Sequence, residues 1–232
     1  MPNDAASSLS IEDVAEFLRR HPEFFEAHPD VLLNIEVPHP HGGRTVSIPE
    51  RQLIATREKV RLLESKLTEL IRFGEENDAL SEKVQALTLK LIGAGSREQT
   101  IDTLYLELLE TFSVPHVAVR LWNVAPRDGA EPAPQVAEFQ PVAAELVQFV
   151  EAMTAPYVGA HPVYEAHLWF GEHAPHLKSY AMVPLRTEKV FGVLLLASEN
   201  AERFYTGMGT MFLTRIGDVF AAALARELTV DG

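Results

Sequence analysis

The sequence predicts an α+β chain in three parts: a short N-terminal helical cap, one long helix of coiled-coil type, and a domain of antiparallel sheet packed against helices. Three observations carry that reading. An apolar seam with alternating steps of three and four runs from residue 50 to 91. Segments of period-two alternation with a hairpin-like turn follow it. Glycines at 93 and 95 separate the two patterns. The expected divisions are 1–49 for the cap and its loop, 50–95 for the coiled coil and hinge, and 96–232 for the sheet domain.

The cap comes first. Ser10 and Asp13 have the spacing of a capping box, and Val14, Phe17 and Leu18 form the apolar face of the helix that follows. Prolines at 22 and 29 open two further short helical turns that carry Phe24, Phe25, Val31, Leu32 and Leu33. Some 25 residues of this kind are too few to fold alone. Residues 37–47 read as a loop. His39, between Pro38 and Pro40, and His41 lie in it, and two histidines without a third ligand do not make a metal site.

The long helix starts at a second capping box, Ser47 with Glu50, with Pro49 in the first turn. Its seam is Leu53, Thr56, Val60, Leu63, Leu67 and Leu70, then Phe73, Asn77, Leu80, Val84, Leu87 and Leu91. Between Leu70 and Phe73 the alternation takes an extra step of three, a stammer that overwinds a coiled coil locally. Some forty residues at ~1.5 Å each make a rod of about 60 Å. A stripe that long points to a second copy as its partner. Residues 50–91 hold eight acidic and eight basic side chains, so the whole net charge of −13 lies outside them. Leu53, Val60, Leu63, Leu67, Leu70, Asn77, Leu80, Val84, Leu87 and Leu91 are therefore expected to form a homodimer seam. Asn77 is a candidate for setting its register.

Beyond the glycines, Ser96 with Gln99 caps a helix whose face is Ile101, Leu104, Tyr105, Leu108, Leu109 and Phe112. Residues 114–123 alternate as a strand, with Val117, Val119 and Leu121 on one face and His116, Ala118, Arg120 and Trp122 on the other. Residues 125–134 form a loop, 135–139 a short strand and 141–153 a helix. Residues 156–176 are irregular and rich in aromatic and histidine side chains. Two apolar strands follow, 178–185 and 190–198, and a last helix spans 208–228.

Composition narrows the function classes. The chain has no cysteine, which excludes disulfides and thiol chemistry and fits a cytoplasmic setting. An acidic balance of 33 Asp and Glu against 20 Lys and Arg argues against direct nucleic-acid binding. No stretch approaches the ~20 apolar residues of a membrane span. No metal site, cofactor motif, catalytic triad or phosphate-cradling loop stands out, so a non-enzymatic role is expected.

The order of elements from Ser96 to Leu228 resembles the GAF domain. The best local match is Ser179-Tyr180-Ala181-Met182-Val183-Pro184-Leu185, a turn, then Phe191-Gly192-Val193-Leu194-Leu195-Leu196. The full chain resembles the bacterial family catalogued as domain of unknown function 484. That resemblance is carried by Val14-Ala15-Glu16-Phe17-Leu18 with His21-Pro22-Glu23-Phe24-Phe25 and by Val46-Ser47-Ile48-Pro49-Glu50-Arg51-Gln52. Further along it rests on Asn77-Asp78, Arg203-Phe204 and Gly207-Met208-Gly209-Thr210. Resemblance to GAF domains implies small-molecule sensing coupled along a coiled coil. It places a ligand pocket between the sheet and residues 156–176, where Arg120, Trp122, Tyr157, His161, Trp169, Phe170, Lys178 and Tyr180 would line it. Three readings follow: a dimeric sensor or regulator of a small molecule or protein partner, a scaffold whose GAF-like core has closed, or an enzyme using Arg120, His161 or Lys178.

Overall fold

The computed structural model describes residues 10–34, 36–38, 45–127 and 136–230, of which 32–34, 36–38, 45–50, 126 and 230 are described by backbone alone. It divides into two compact units, Met1–Gly74 and Glu75–Gly232, with the division inside the long helix.

In the N-terminal unit, α1 (Ile11–Arg20), α2 (Phe24–Ala27) and α3 (Pro29–Asn34) form the cap. The capping box is complete: Ser10 Oγ accepts the Asp13 N–H, and the Asp13 carboxylate accepts from the Ser10 backbone. Phe17, Phe24 and Phe25 meet edge to face. The expected loop over 37–47 is corrected to a hairpin. β1 (Glu36–Pro38) and β2 (Thr45–Ser47) pair antiparallel with Val37 opposite Val46, and Pro38 ends its strand where a missing N–H costs least. His39 and His41 lie outside the described residues.

The helix α4 (Ile48–Gly93) enters this unit and continues into the next. Along its first half the seam is exposed: Leu53, Val60, Leu63, Leu67 and Leu70 are all about half uncovered, as are Ile71 and Phe73.

The C-terminal unit holds the last turns of α4, then α5 (Arg97–Glu110), β3 (His116–Leu121), β4 (Val124–Pro126), α6 (Ala144–Ala152), β5 (Tyr157–Gly159), β6 (Ser179–Arg186), β7 (Val190–Ser198), α7 (Met211–Leu224) and β8 (Leu228–Val230). Four strands make one antiparallel sheet in the order β3-β7-β6-β5, while β4 pairs with β8. The alternation along β3 divides as the sequence predicts. Val119 and Leu121 join Ala181, Val183, Leu185, Leu194 and Leu196 in a core under α5 and α7. Ala118 joins Met182, Val193 and Leu195 on the opposite face, against Leu146 and Val150 of α6. Gly192 lets β7 run close to β3, since a Cβ there would stand 2.7 Å from the Arg120 carbonyl oxygen.

The seam expectation is corrected for Val84, Leu87 and Leu91. These three are buried in the core of their own domain with Leu104, Leu108 and Phe220, so they cannot also face a partner helix. The end of α4 is held as well. Arg226 donates to the Ile92 and Ala94 carbonyl oxygens, orphans of the helix terminus, and Lys90 pairs with the buried Glu107. Gln99 departs from a reciprocal capping box. Ser96 Oγ does accept its N–H, but the Gln99 side chain accepts from Gly95 N instead.

Two further expectations change. The segment 135–139 holds a 3₁₀ turn at Ala137–Phe139, not a strand, beside the free edge of β3. Glu138 accepts from Tyr105 Oη, which itself accepts the Val119 N–H, so a side chain satisfies the edge amide that another strand would take. The last helix stops at Leu224 because the chain turns back to pair Leu228–Val230 with β4, held by Arg127 to the Ala225 and Leu228 carbonyls.

Candidate functional site

Two places on the C-terminal unit bear on function, one on each face of the sheet. The first is the layer that the GAF resemblance singles out, between the sheet and residues 156–176. Here Ala166–His176 form a 3₁₀ segment broken at Gly171, whose φ of 54° permits the kink. The guanidinium of Arg120 lies 4.7 Å from the Trp169 ring centre, and its Nη1 donates to the Val119 carbonyl at 2.9 Å. Burial lowers the Arg120 pKa, while Tyr105 and Glu138 favour its charge. Around this pair, Trp122, Tyr157 and Phe170 pack with Met182, Val193 and Leu195.

Of the eight residues expected to line a pocket, Arg120, Trp122, Tyr157, Trp169 and Phe170 are brought into one packed layer. Tyr180 is buried beside Leu177 and Ala197, with its hydroxyl on the Leu177 carbonyl. His161 and Lys178 are exposed. The Tyr157 hydroxyl donates to the His161 backbone oxygen at 2.9 Å, an arrangement that fastens the loop. Two polar atoms in this region, Trp122 Nε1 and His167 Nδ1, are buried without a hydrogen-bond partner among the described residues. His116 and His173 rings stand 4.9 Å apart, and burial, then the neighbouring histidine, lowers the pKa of His116. Among the described residues no group of three or more side chains is placed to hold a metal ion.

The second place is a cavity of about 460 Å³ on the opposite face, where Asn77 and Leu80 of α4 meet α5, β7 and the start of α7. Its apolar walls come from Leu80, Leu108, Phe112, Val114, Leu196, Phe204 and Ile216, with Met208, Met211 and Phe212 near the start of α7. Asn77 and Arg203 supply its polar side chains. Turn chemistry sets the position of Arg203. The Asn200 side chain accepts the Glu202 N–H, Ser179 Oγ donates to the Asn200 carbonyl, and Phe204 N donates to Ser179 Oγ. Arg203 itself donates to the Phe112 carbonyl and lies over Phe204. Gly207, at φ 95°, turns the chain from this loop toward α7.

The sequence pattern does not mark this cavity as a site, although its polar residues are separately legible. Asn77, the polar residue in the second half of the seam, is exposed and lines it. So do Arg203-Phe204 and Met208-Gly209, more than a hundred residues away in sequence. In the sequence those segments carry only a family resemblance. The usable signal was their mixture: an amide breaking an apolar stripe, and an arginine–aromatic pair in a glycine-containing loop before an apolar helix.

Comparisons with known proteins agree with this architecture. A family model described as "Protein of unknown function, DUF484" matches residues 4–227. The uncharacterised protein YigA of Salmonella typhimurium is 24% identical over 228 residues, spanning 96% of this chain and 94% of that protein. YigA of Escherichia coli K12 shows the same identity and coverage. Among solved structures, the GAF domain of a phosphoenolpyruvate-protein phosphotransferase from Coxiella burnetii superimposes with a TM-score of 0.50 and 14% identity. The match covers 63% of this chain and 93% of that one. That likeness establishes the GAF-like fold.

Proposed function

Because the chain belongs to the DUF484 family, whose function is unknown, we propose its role from geometry: a non-enzymatic, cytoplasmic GAF-like regulatory protein that works as a homodimer through the first half of α4. The observation that carries this reading is the exposed stripe. Leu53, Val60, Leu63, Leu67, Leu70, Ile71 and Phe73 lie uncovered on one helical segment. At on the order of 100 Å² each, they offer roughly 700 Å² per chain, close to the ~800 Å² per partner of a standard interface. Monomers rarely leave such a stripe in water.

Charge supports a parallel pair. In the heptad set by Val60 and Leu63, Lys59 and Glu64 flank the seam, and parallel pairing brings Lys59 opposite Glu64 of the partner subunit. Antiparallel pairing sets Lys59 and Lys66, on the same flank, against each other. The packed layer around Arg120 and Trp169 favours a second reading, in which the face used for ligands by many GAF domains has become structural and the protein is an adaptor. Both readings share the dimer.

The test is Leu63→Asp. A buried carboxylate on each strand of the pair costs several kcal/mol, so sedimentation velocity at micromolar concentration should show a monomer. Trp122 and Trp169 fluorescence, which reports the C-terminal unit alone, should be unchanged. A dimer that survives the substitution places the interface elsewhere.

A further inference from the structure

We propose that the cavity between α4, α5, β7 and α7 binds an amphipathic carboxylate, with an apolar body lying on Leu108, Leu196 and Ile216 and a single anionic head at Arg203 and Asn77. The inference rests on the small-molecule arm of the regulatory reading and gives it a place other than the layer at Arg120.

Size is the first argument. At about 460 Å³ the cavity falls within the ~300–1,000 Å³ of small-ligand sites. Its walls are apolar apart from one amide and one guanidinium, the pattern by which a site binds a hydrophobic body and orients it with a few polar groups. Met208 and Met211 at one end can follow the shape of a flexible chain.

The charge of Arg203 is the second. The chain carries 33 acidic against 20 basic side chains, yet among the described residues no carboxylate pairs with this guanidinium. One of its nitrogens is committed to the Phe112 carbonyl, which fixes the plane, and its charge lies beside Phe204 on an apolar wall. A half-buried cation in this setting favours an anion brought by the ligand. A carboxylate fits better than a phosphate, because one arginine and one neutral amide supply donors for a single charge, whereas phosphate sites gather several.

Convergence is the third. Asn77 and the 203–209 segment are distant in sequence, and both line this one cavity. They meet only at this cavity. The Arg203 bond to the Phe112 carbonyl uses one of the guanidinium donors and leaves its charge without a carboxylate among the described residues.

The experiment uses the full-length protein labelled with ¹³C at the methionine methyl groups and titrated with dodecanoate below its micelle concentration, with dodecanol as the neutral control. The chain has five methionines. Met208 and Met211 line the cavity, while Met153 and Met182 belong to the core on the other face of the sheet. Dodecanoate is expected to shift Met208 and Met211 and to leave Met153 and Met182 in place. Dodecanol should bind at least ten-fold more weakly, and Arg203→Gln should erase that preference. Gly209→Leu adds a side chain to the cavity wall where a Cβ meets no atom within 4 Å, so it should block binding without unfolding the domain.

Unmoved Met208 and Met211 overturn the proposal, as do shifts confined to Met153 and Met182. Equal binding of acid and alcohol overturns the role of Arg203. If dilution through dimer dissociation moves Met208 and Met211 but dodecanoate does not, the second copy covers the cavity and the proposal also falls. Binding that persists in monomeric Leu63→Asp separates the two readings, since it upholds the ligand site when the dimer is lost.

Discussion

Two leucines on one helix test the division of α4 directly. Leu87 is 1% exposed and belongs to the core under the sheet, while Leu63 is 58% exposed on the free stripe. Leu87→Ala removes the equivalent of three methylene groups, worth ~2.4 kcal/mol by transfer alone, and a residual cavity adds to that. The expected loss is about 2–5 kcal/mol from the C-terminal unit. At ~2–4 °C per kcal/mol for a domain of this size, its Tm should fall by about 5–15 °C. Leu63→Ala touches no core and should change the same melt by no more than ~0.5 kcal/mol, measured where dimer binding does not contribute. It should instead weaken association, since the proposed dimer loses an apolar contact from each of its two chains. The assay is paired: tryptophan-fluorescence melts, which see only the C-terminal unit because Trp122 and Trp169 both lie there, and sedimentation velocity for mass. A Leu87→Ala variant that dissociates with an unshifted melt would refute the partition of the seam.

Two other substitutions probe the scaffold. Tyr105→Phe removes the hydroxyl that donates to Glu138 and accepts the Val119 N–H, leaving an edge amide unpaired, and should cost about 1–3 kcal/mol in the fluorescence melt. Burial, reinforced by Glu138, pushes the Tyr105 pKa far above its usual range. Its contribution is therefore present below about pH 10 and lost as the pH climbs beyond it, so the wild-type advantage should shrink in alkaline melts. Glu107→Gln removes the charge that pairs with Lys90 and accepts from Thr111, at about 1–2 kcal/mol near neutral pH. Lys90, aided by Thr111 and against the effect of burial, holds the Glu107 carboxyl below the usual carboxylate range. That stability is complete above about pH 5 and disappears as the carboxyl protonates. Melts of wild type and variant should therefore converge as the pH falls below the usual carboxylate range, and parallel curves would exclude the linkage.

Much of the fold is legible in the sequence because short-range rules determine it. The Ser10 and Ser96 caps, the alternation of β3, and the β6–β7 hairpin each depend on residues a few positions apart. The misread segments depend on distant partners. Ala137–Phe139 is not a strand because Glu138 answers Tyr105, 33 residues earlier. The last helix ends at Leu224 because β4 claims the residues after it. Val84, Leu87 and Leu91 carry the same heptad spacing as Leu53 through Leu70, and periodicity does not distinguish burial against a partner from burial against one's own sheet. The candidate site was legible only in fragments for the same reason: Asn77 and Arg203 acquire a common meaning when the fold brings them to one cavity.

The partition of α4 also bears on how a ligand could act at a distance. Val84, Leu87, Leu91 and the Arg226 clasp anchor the last turns of the helix. The cavity touches the helix earlier, at Asn77 and Leu80, one to two turns past Gly74. The stammer between Leu70 and Phe73 lies immediately before, and an extra step of three offsets the stripe by about 60° around the helix axis. A ligand in this cavity would meet α4 at Asn77 and Leu80, ahead of the anchored turns, and in the proposed dimer a small change in winding would alter which side chains face the partner. Such coupling requires the ligand to bind one winding better than another, and linkage makes it reciprocal. If dodecanoate tightens the dimer, dimerisation must tighten dodecanoate by the same factor. Equal affinities for dodecanoate in the wild type and in Leu63→Asp would exclude any influence of the proposed ligand on the proposed dimer.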